Sequence, residues 1–154
     1  MTEERNASPP SQSSTRSQVW ELAAQGKQRA VRILIWKALL GLLVFDALGF
    51  GLNFRKMHRF VRGWRVSPRT APRDGVDRVC EAINYACVWY PKRVLCLQRS
   101  AVTTCLLRTL GVSAKMVMGA QNLPFKAHAW TVVNGRAINE RRDVHKIYCV
   151  WELC

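Results

Sequence analysis

The sequence predicts an α+β fold, in which a helix that opens on a cysteine packs against an antiparallel sheet behind a helical N-terminal extension. Three observations predict it. Residues 18–52 are apolar and helix-forming almost throughout. The run from Leu95 to Leu110 reads as a second strong helix stopped by Gly111. After it, Val112–Met118 and Ala127–Val133 alternate and are rich in β-formers, and the second run is closed by Asn134-Gly135, the strongest short hairpin signal. A chain of 154 residues with 49% hydrophobic content and no internal repeat is one domain's worth, large enough for a core.

Met1–Ser17 is polar and rich in Ser, Pro and Thr, and is expected to be disordered. From Gln18 to Leu52 the residues are strongly helical and apolar, with Arg32, Lys37 and Asp46 interrupting, and the longest unbroken apolar run, Ala38–Phe45, has eight residues. A spanning helix needs about 18, so a buried or partner-facing helix is expected, with a peripheral membrane contact as the remaining option. Asn53–Arg73 carries seven Lys or Arg and no acid. Its first part, Phe54–Val61, has helical spacing, and Pro68 and Pro72 make the second part a linker. Asp74 can cap a helix bearing Val76, Val79, Cys80, Ile83, Cys87 and Val88 on its apolar side, which should pack behind the Cys96 helix. Tyr90-Pro91-Lys92-Arg93 breaks that helix, and Ile147–Trp151 is the last strand. Three regions result: a disordered 1–17, a helical 18–73 with its basic segment and linker, and a core over 74–154.

The chemistry concentrates in the core. Cys96 stands in the first turn of its helix, where unpaired backbone N–H groups and the positive end of the dipole favour a thiolate, and Arg93 and Arg99 push the same way. A lone cysteine is more often a small buried hydrophobe, but His128 comes later on a strand whose hairpin partner is Arg136–Glu140. A two-residue type I′ turn at Asn134-Gly135 would set 133 opposite 136 and leave Asn139 on the face of His128. A three-residue loop with a bulge at Gly135 would set 132 opposite 136 and bring Glu140 across from His128. Either residue could fix the imidazole tautomer for a neighbouring thiol, and Asp143 is the next acid along. Thiol, imidazole and a third polar group together point to acyl transfer through a cysteine nucleophile. Gln98 and the backbone N–H of Cys96 or Leu97 are candidates for an oxyanion hole.

The six cysteines show no CxxC pair and no metal spacing, so neither zinc nor another cofactor is expected. Cys80 and Cys87 are about two helical turns apart and Cys96 and Cys105 share one helix, so neither pair can bridge within its helix. Reduced thiols, and no signal-peptide pattern after Met1-Thr2-Glu3-Glu4-Arg5, point to the cytoplasm. A net charge of +14 calls for an acidic partner: a peptide or protein, anionic lipid or nucleic acid. Without a phosphate-binding loop or a recognised nucleic-acid motif, a nucleic-acid partner is not expected.

Three stretches carry a family resemblance: Cys96-Leu97-Gln98-Arg99-Ser100, Leu106–Ala114, and Pro124-Phe125-Lys126-Ala127-His128-Ala129-Trp130. They resemble the transglutaminase-like, papain-like core of lasso-peptide leader peptidases, the cysteine proteases related to the microcin-processing protein. The likeness runs from about Val76 to the C-terminus, and more loosely over Trp20–Trp64. It implies Cys96 as nucleophile, His128 as general base and an acid aligned at Glu140 where the family usually has aspartate, with Asn139 beside it as the alternative. It implies a precursor peptide as substrate, a separate leader-recognition protein, and an asparagine-synthetase-like lactam synthetase that closes the ring. The chain is expected to be the stand-alone form without a recognition domain of its own. Arg55, Lys56, Arg59, Arg62 and Trp130 are then expected to meet the substrate or partner. Another amidase or acyltransferase on this core, or a non-catalytic peptide-binding scaffold, is the alternative.

Overall fold

The computed structural model describes residues 12–51, 54–140 and 144–153, with side chains described for 25–47, 56–140, 144 and 146–150. Of residues 1–17, expected to be disordered, 1–11 lie outside the described residues, and 12–17 form the first turns of α1 instead. The elements are α1 (Gln12–Gly51), α2 (Phe54–Gly63), α3 (Gly75–Trp89), α4 (Cys96–Thr109), β1 (Ala114–Asn122), β2 (Phe125–Val133), β3 (Arg136–Ile138), α5 (Val144–Ile147) and β4 (Cys149–Leu153). The chain divides into two compact units, Met1–Ala30 and Val31–Cys154. The first contributes only the beginning of α1 to the described elements, and the second holds all the others.

The four strands form one antiparallel sheet in the order β3-β2-β1-β4, and α4 packs on it. Helix α4 is the centre of the second unit, because every residue from Ser100 to Arg108 is buried. Such a helix must be apolar or internally satisfied all round, and this one is both. Leu106 and Leu107 fill the core, while Ser100, Thr104 and Arg108 bond to neighbouring elements. From α1, Leu34, Ala38, Leu42 and Phe45 recur at helical spacing and enter the same core as Val79 and Ile83 of α3. Gly41 lets α1 lie close to α4, since a Cβ there would come 2.9 Å from a Val102 methyl. Among the described residues no helix is long and apolar enough to cross a membrane.

Helix α4 ends where Gly111 takes a positive φ of 84°. The N–H of Val112 returns to the Leu107 carbonyl (3.0 Å) and that of Gly111 to Arg108 (3.0 Å), the paired bonds of a Schellman turn. A side chain at Gly111 would also collide with the Arg69 carbonyl. In α3 the buried face is Val79, Ala82, Ile83 and Ala86; Val88, expected on it, is 79% exposed because the apolar stripe leaves the helix before its last turn. Asp74 stands at the N-cap position without a side-chain cap bond and pairs instead with Arg78 one turn on. The last strand begins at Cys149, since Val144–Ile147 closes into a short helix.

Nothing in the sequence pattern marks Arg108 for a structural part. Its guanidinium is buried and donates to the carbonyls of Ala114 (2.8 Å), Val61 (2.6 Å) and Trp64 (3.0 Å), tying the end of α2 and the start of β1 to α4. A helix C-terminus leaves carbonyls unpaired, and a cation is the natural donor for them. Arg108→Leu should keep the volume but remove three hydrogen bonds to carbonyls, two of them buried, and is expected to lower stability by about 3 kcal/mol. A fall in the urea midpoint at unchanged slope would show it; a midpoint equal to that of the parent chain would refute the staple.

Candidate active site

Cys96 is the first residue of α4, after an extended Leu95. The helix starts there because the Gln98 side chain folds back, its Oε1 accepting from the Leu95 N–H at 3.1 Å. The Gln98 amide nitrogen donates to Asp46 Oδ1 of α1 at 3.2 Å. Asp46 also accepts from Lys92 Nζ at 2.8 Å and from the Tyr90 hydroxyl, and the Lys92 bond is the main reason its carboxyl sits below the usual range. One carboxylate thus ties α1 to the segment that leads into Cys96. The sequence signal was present: Asp46 is the only acid between residues 22 and 73. With both ends of its amide engaged, Gln98 does not line the cleft beside Cys96.

Three polar links hold α4 against β2. Ser100 Oγ donates to the Ala129 carbonyl (2.8 Å), Thr131 Oγ1 donates to the Ser100 carbonyl (3.2 Å), and the hydroxyls of Thr104 and Thr131 are 3.2 Å apart. Cys96 lies one turn before Ser100, and His128 directly precedes Ala129.

The hairpin corrects the register by which Glu140 was expected to arrive. Val133 pairs with Arg136 and Thr131 with Ile138, and both Asn134 (φ 49°) and Gly135 (φ 77°) have positive φ, so the turn is the two-residue type I′ form with no bulge. Continued alternation would present Asn139 to the ring. The ladder stops at Ile138 instead, and Asn139 takes a left-handed φ of 57°, which redirects the chain. Glu140 Oε2 lies 2.8 Å from His128 Nε2, while Asn139 Nδ2 donates to Asn84 Oδ1 of α3 at 2.9 Å. A local backbone feature, not the register, selects the acid.

The imidazole is stacked with Trp130 (centroids 6.1 Å, planes 21° apart) and tilted against Tyr148 (5.3 Å, 31°). Tyr148 comes this close because Gly119, which pairs with His128 on β1, has no side chain; a Cβ there would be 3.0 Å from Tyr148 Cβ and 2.8 Å from the Cys149 carbonyl. Trp130 itself is 3% exposed, in a small cluster with Val117 and Val144. Cys96, His128, Asn139 and Glu140 line one cleft of about 200 Å³, together with Arg99 and part of Trp130. Lys56, Arg59 and Arg62 are exposed on α2, away from the cleft lining. The Arg55 side chain and Asp143 lie outside the described residues. Among the described residues no three His, Cys, Asp or Glu converge to hold a metal ion, and no disulfide joins the cysteines.

A family model described as the Transglutaminase-like superfamily matches residues 42–151, from the last turns of α1 to the final strand. No curated protein and no solved structure matches the chain.

Burial pushes the thiols of Cys80 and Cys87 upward, so both stay protonated at neutral pH and alkylate only as the pH rises through their raised values. Brief treatment with iodoacetamide at pH 7 followed by mass mapping should therefore find Cys96 labelled first and Cys80 and Cys87 last. Preferential labelling of Cys105 or Cys149 would contradict the assignment of Cys96 as the reactive thiol.

Proposed function

Because the chain belongs to the transglutaminase-like superfamily, which includes cysteine peptidases and acyltransferases, we propose that it is a cysteine peptidase acting through Cys96, His128 and Glu140. The observation that carries the reading is the shared cleft, in which the first-turn thiol of α4 and an imidazole 2.8 Å from a carboxylate line the same 200 Å³. Glu140 accepts a hydrogen bond from Nε2–H, which leaves Nδ1 as the basic nitrogen and steadies the imidazolium once it forms. His128 takes the proton from the Cys96 thiol. The sulfur attacks the scissile carbonyl, and the tetrahedral oxyanion is met by backbone N–H groups at the open first turn of α4, those of Cys96 and Leu97. Collapse forms the thioester and expels the amine, which receives its proton from His128. Water, deprotonated by the same imidazole, then releases the acid and restores the thiol.

The finer reading is removal of the leader from a lasso precursor peptide in the cytoplasm. It is supported by the Cys96–Ser100, Leu106–Ala114 and Pro124–Trp130 stretches and their resemblance to those leader peptidases. Residues 74–154 then carry the chemistry. The exposed cations Lys56, Arg59, Arg62, Arg65, Arg69 and Arg73 offer an acidic leader-recognition protein its docking surface. A ring-closing lactam synthetase acts on the product.

Two outcomes are expected. Cys96→Ala abolishes cleavage, and Glu140→Gln slows it at least about tenfold, roughly 1.4 kcal/mol of barrier. Asn139→Gly, which keeps the left-handed turn, is mild, whereas the β-branched Asn139→Val, which cannot hold that φ, lowers the rate as Glu140→Gln does. Rates on one precursor peptide, with folding checked by circular dichroism, decide; retained amine incorporation without cleavage would favour an acyltransferase. Separately, the recognition protein should raise the cleavage rate, and the stimulation should fall with salt as exposed charges are screened beyond about 8 Å at physiological ionic strength. Full activity of the isolated chain, indifferent to salt, would defeat the docking reading.

A further inference from the structure

The cleft that holds Cys96 also holds a cation. Of the described residues lining it, Arg99 is the one Lys or Arg. It sits in the first turn of α4, half-buried, three residues after Cys96. Arg78 pairs with Asp74 and Lys92 with Asp46, while Arg108 spends its guanidinium on three carbonyls. Arg99 is held differently. One terminal nitrogen donates to Asn84 Oδ1 at 2.8 Å, and that same oxygen accepts from Asn139 Nδ2 at 2.9 Å. The Asn84 amide of α3 thus bonds the guanidinium without neutralising it and is itself held by Asn139 from the turn after β3, and among the described residues no carboxylate forms an ion pair with Arg99. A guanidinium has five N–H donors, and the Asn84 bond uses one of them. A cation oriented by a dedicated amide, lining a cleft and carrying unspent donors, is built to receive an anion.

We propose that Arg99 is the anion subsite of this cleft and takes a carboxylate of the acyl substrate, close to the carbonyl that Cys96 attacks. The inference rests on Cys96 being the nucleophile. The spacing sets the position: residues three apart on a helix have Cβ atoms about 5–6 Å apart. An extended peptide advances about 3.3 Å per residue, so the carboxylate belongs to the residue one or two places from the scissile bond. Its source is either an acidic side chain or a chain end. A planar fork facing a carboxylate gives paired charge-assisted bonds, so the amide analogue of such a substrate is discriminated against.

Iodoacetate and iodoacetamide test this on the full chain without knowledge of the peptide. They alkylate the same thiol by the same displacement of iodide and differ only in carboxylate against amide. The rate ratio of iodoacetate to iodoacetamide at Cys96, divided by that at the exposed Cys149, should exceed one by about tenfold, the scale of one charge-assisted bond. Any effect of Arg99 on the Cys96 thiolate acts on both reagents and cancels. Arg99→Gln should return the ratio to that of Cys149, Arg99→Lys should keep most of it, and added salt should erode it in the unaltered chain. A competing acetylglutamate methylamide that slows carboxymethylation marks a side-chain source, and acetylglutamine a chain end. A Cys96 ratio equal to that of Cys149, or one that survives Arg99→Gln in a folded variant, overturns the proposal. Slow labelling of Cys96 by the neutral reagent would instead count against the nucleophile, which keeps the two failures apart.

Discussion

The contact between α4 and β2, made by Ser100, Thr104 and Thr131, is the constraint on which the rest of the structure depends. Two apolar surfaces can slide over one another by an ångström at little cost, but buried hydroxyls cannot, because each is satisfied only in one register. Ser100 reads the Ala129 carbonyl and Thr131 reads the Ser100 carbonyl, so helix and strand fix each other reciprocally. Cys96 and His128 are carried one turn and one residue beyond this lock. The hydrogen bonds therefore hold these two elements where both line the cleft.

The remaining supports work outward from that contact. Arg108 gathers α2 and β1 at the far end of α4, and Asp46 gathers α1, Lys92, Tyr90 and Gln98 at its near end. The superfamily match begins at residue 42, within the turns of α1 that carry Leu42, Phe45 and Asp46, so the end of this helix belongs to the matched core as well as to the buried cluster.

Helix α4, its glycine stop and the hairpin were legible because each rests on local chemistry: a cap, a positive φ, an Asn-Gly turn, an alternation. What escaped the sequence depends on distant partners. Arg108 reads like any helix-terminal cation until α2 places two carbonyls beside it. Tyr148 joins His128 only because Gly119 lets β4 approach. Glu140 does reach His128, but not by the expected route. A bulge was expected, whereas a left-handed Asn139 after a tight turn delivers Glu140, and period-two reasoning cannot foresee where a ladder stops.

The hairpin tip also sets how the molecule ages. Asn134 is exposed and followed by Gly135, the neighbour that least hinders attack of a backbone nitrogen on the asparagine side chain. The cyclic imide so formed reopens mainly to isoaspartate, which inserts an extra carbon into the main chain. A loop of two residues has no slack to absorb it. Strand β3 would shift against β2, and with it the turn that aims a carboxylate at the imidazole, so slow spontaneous chemistry at the surface would reach the half-buried pair through three residues of strand.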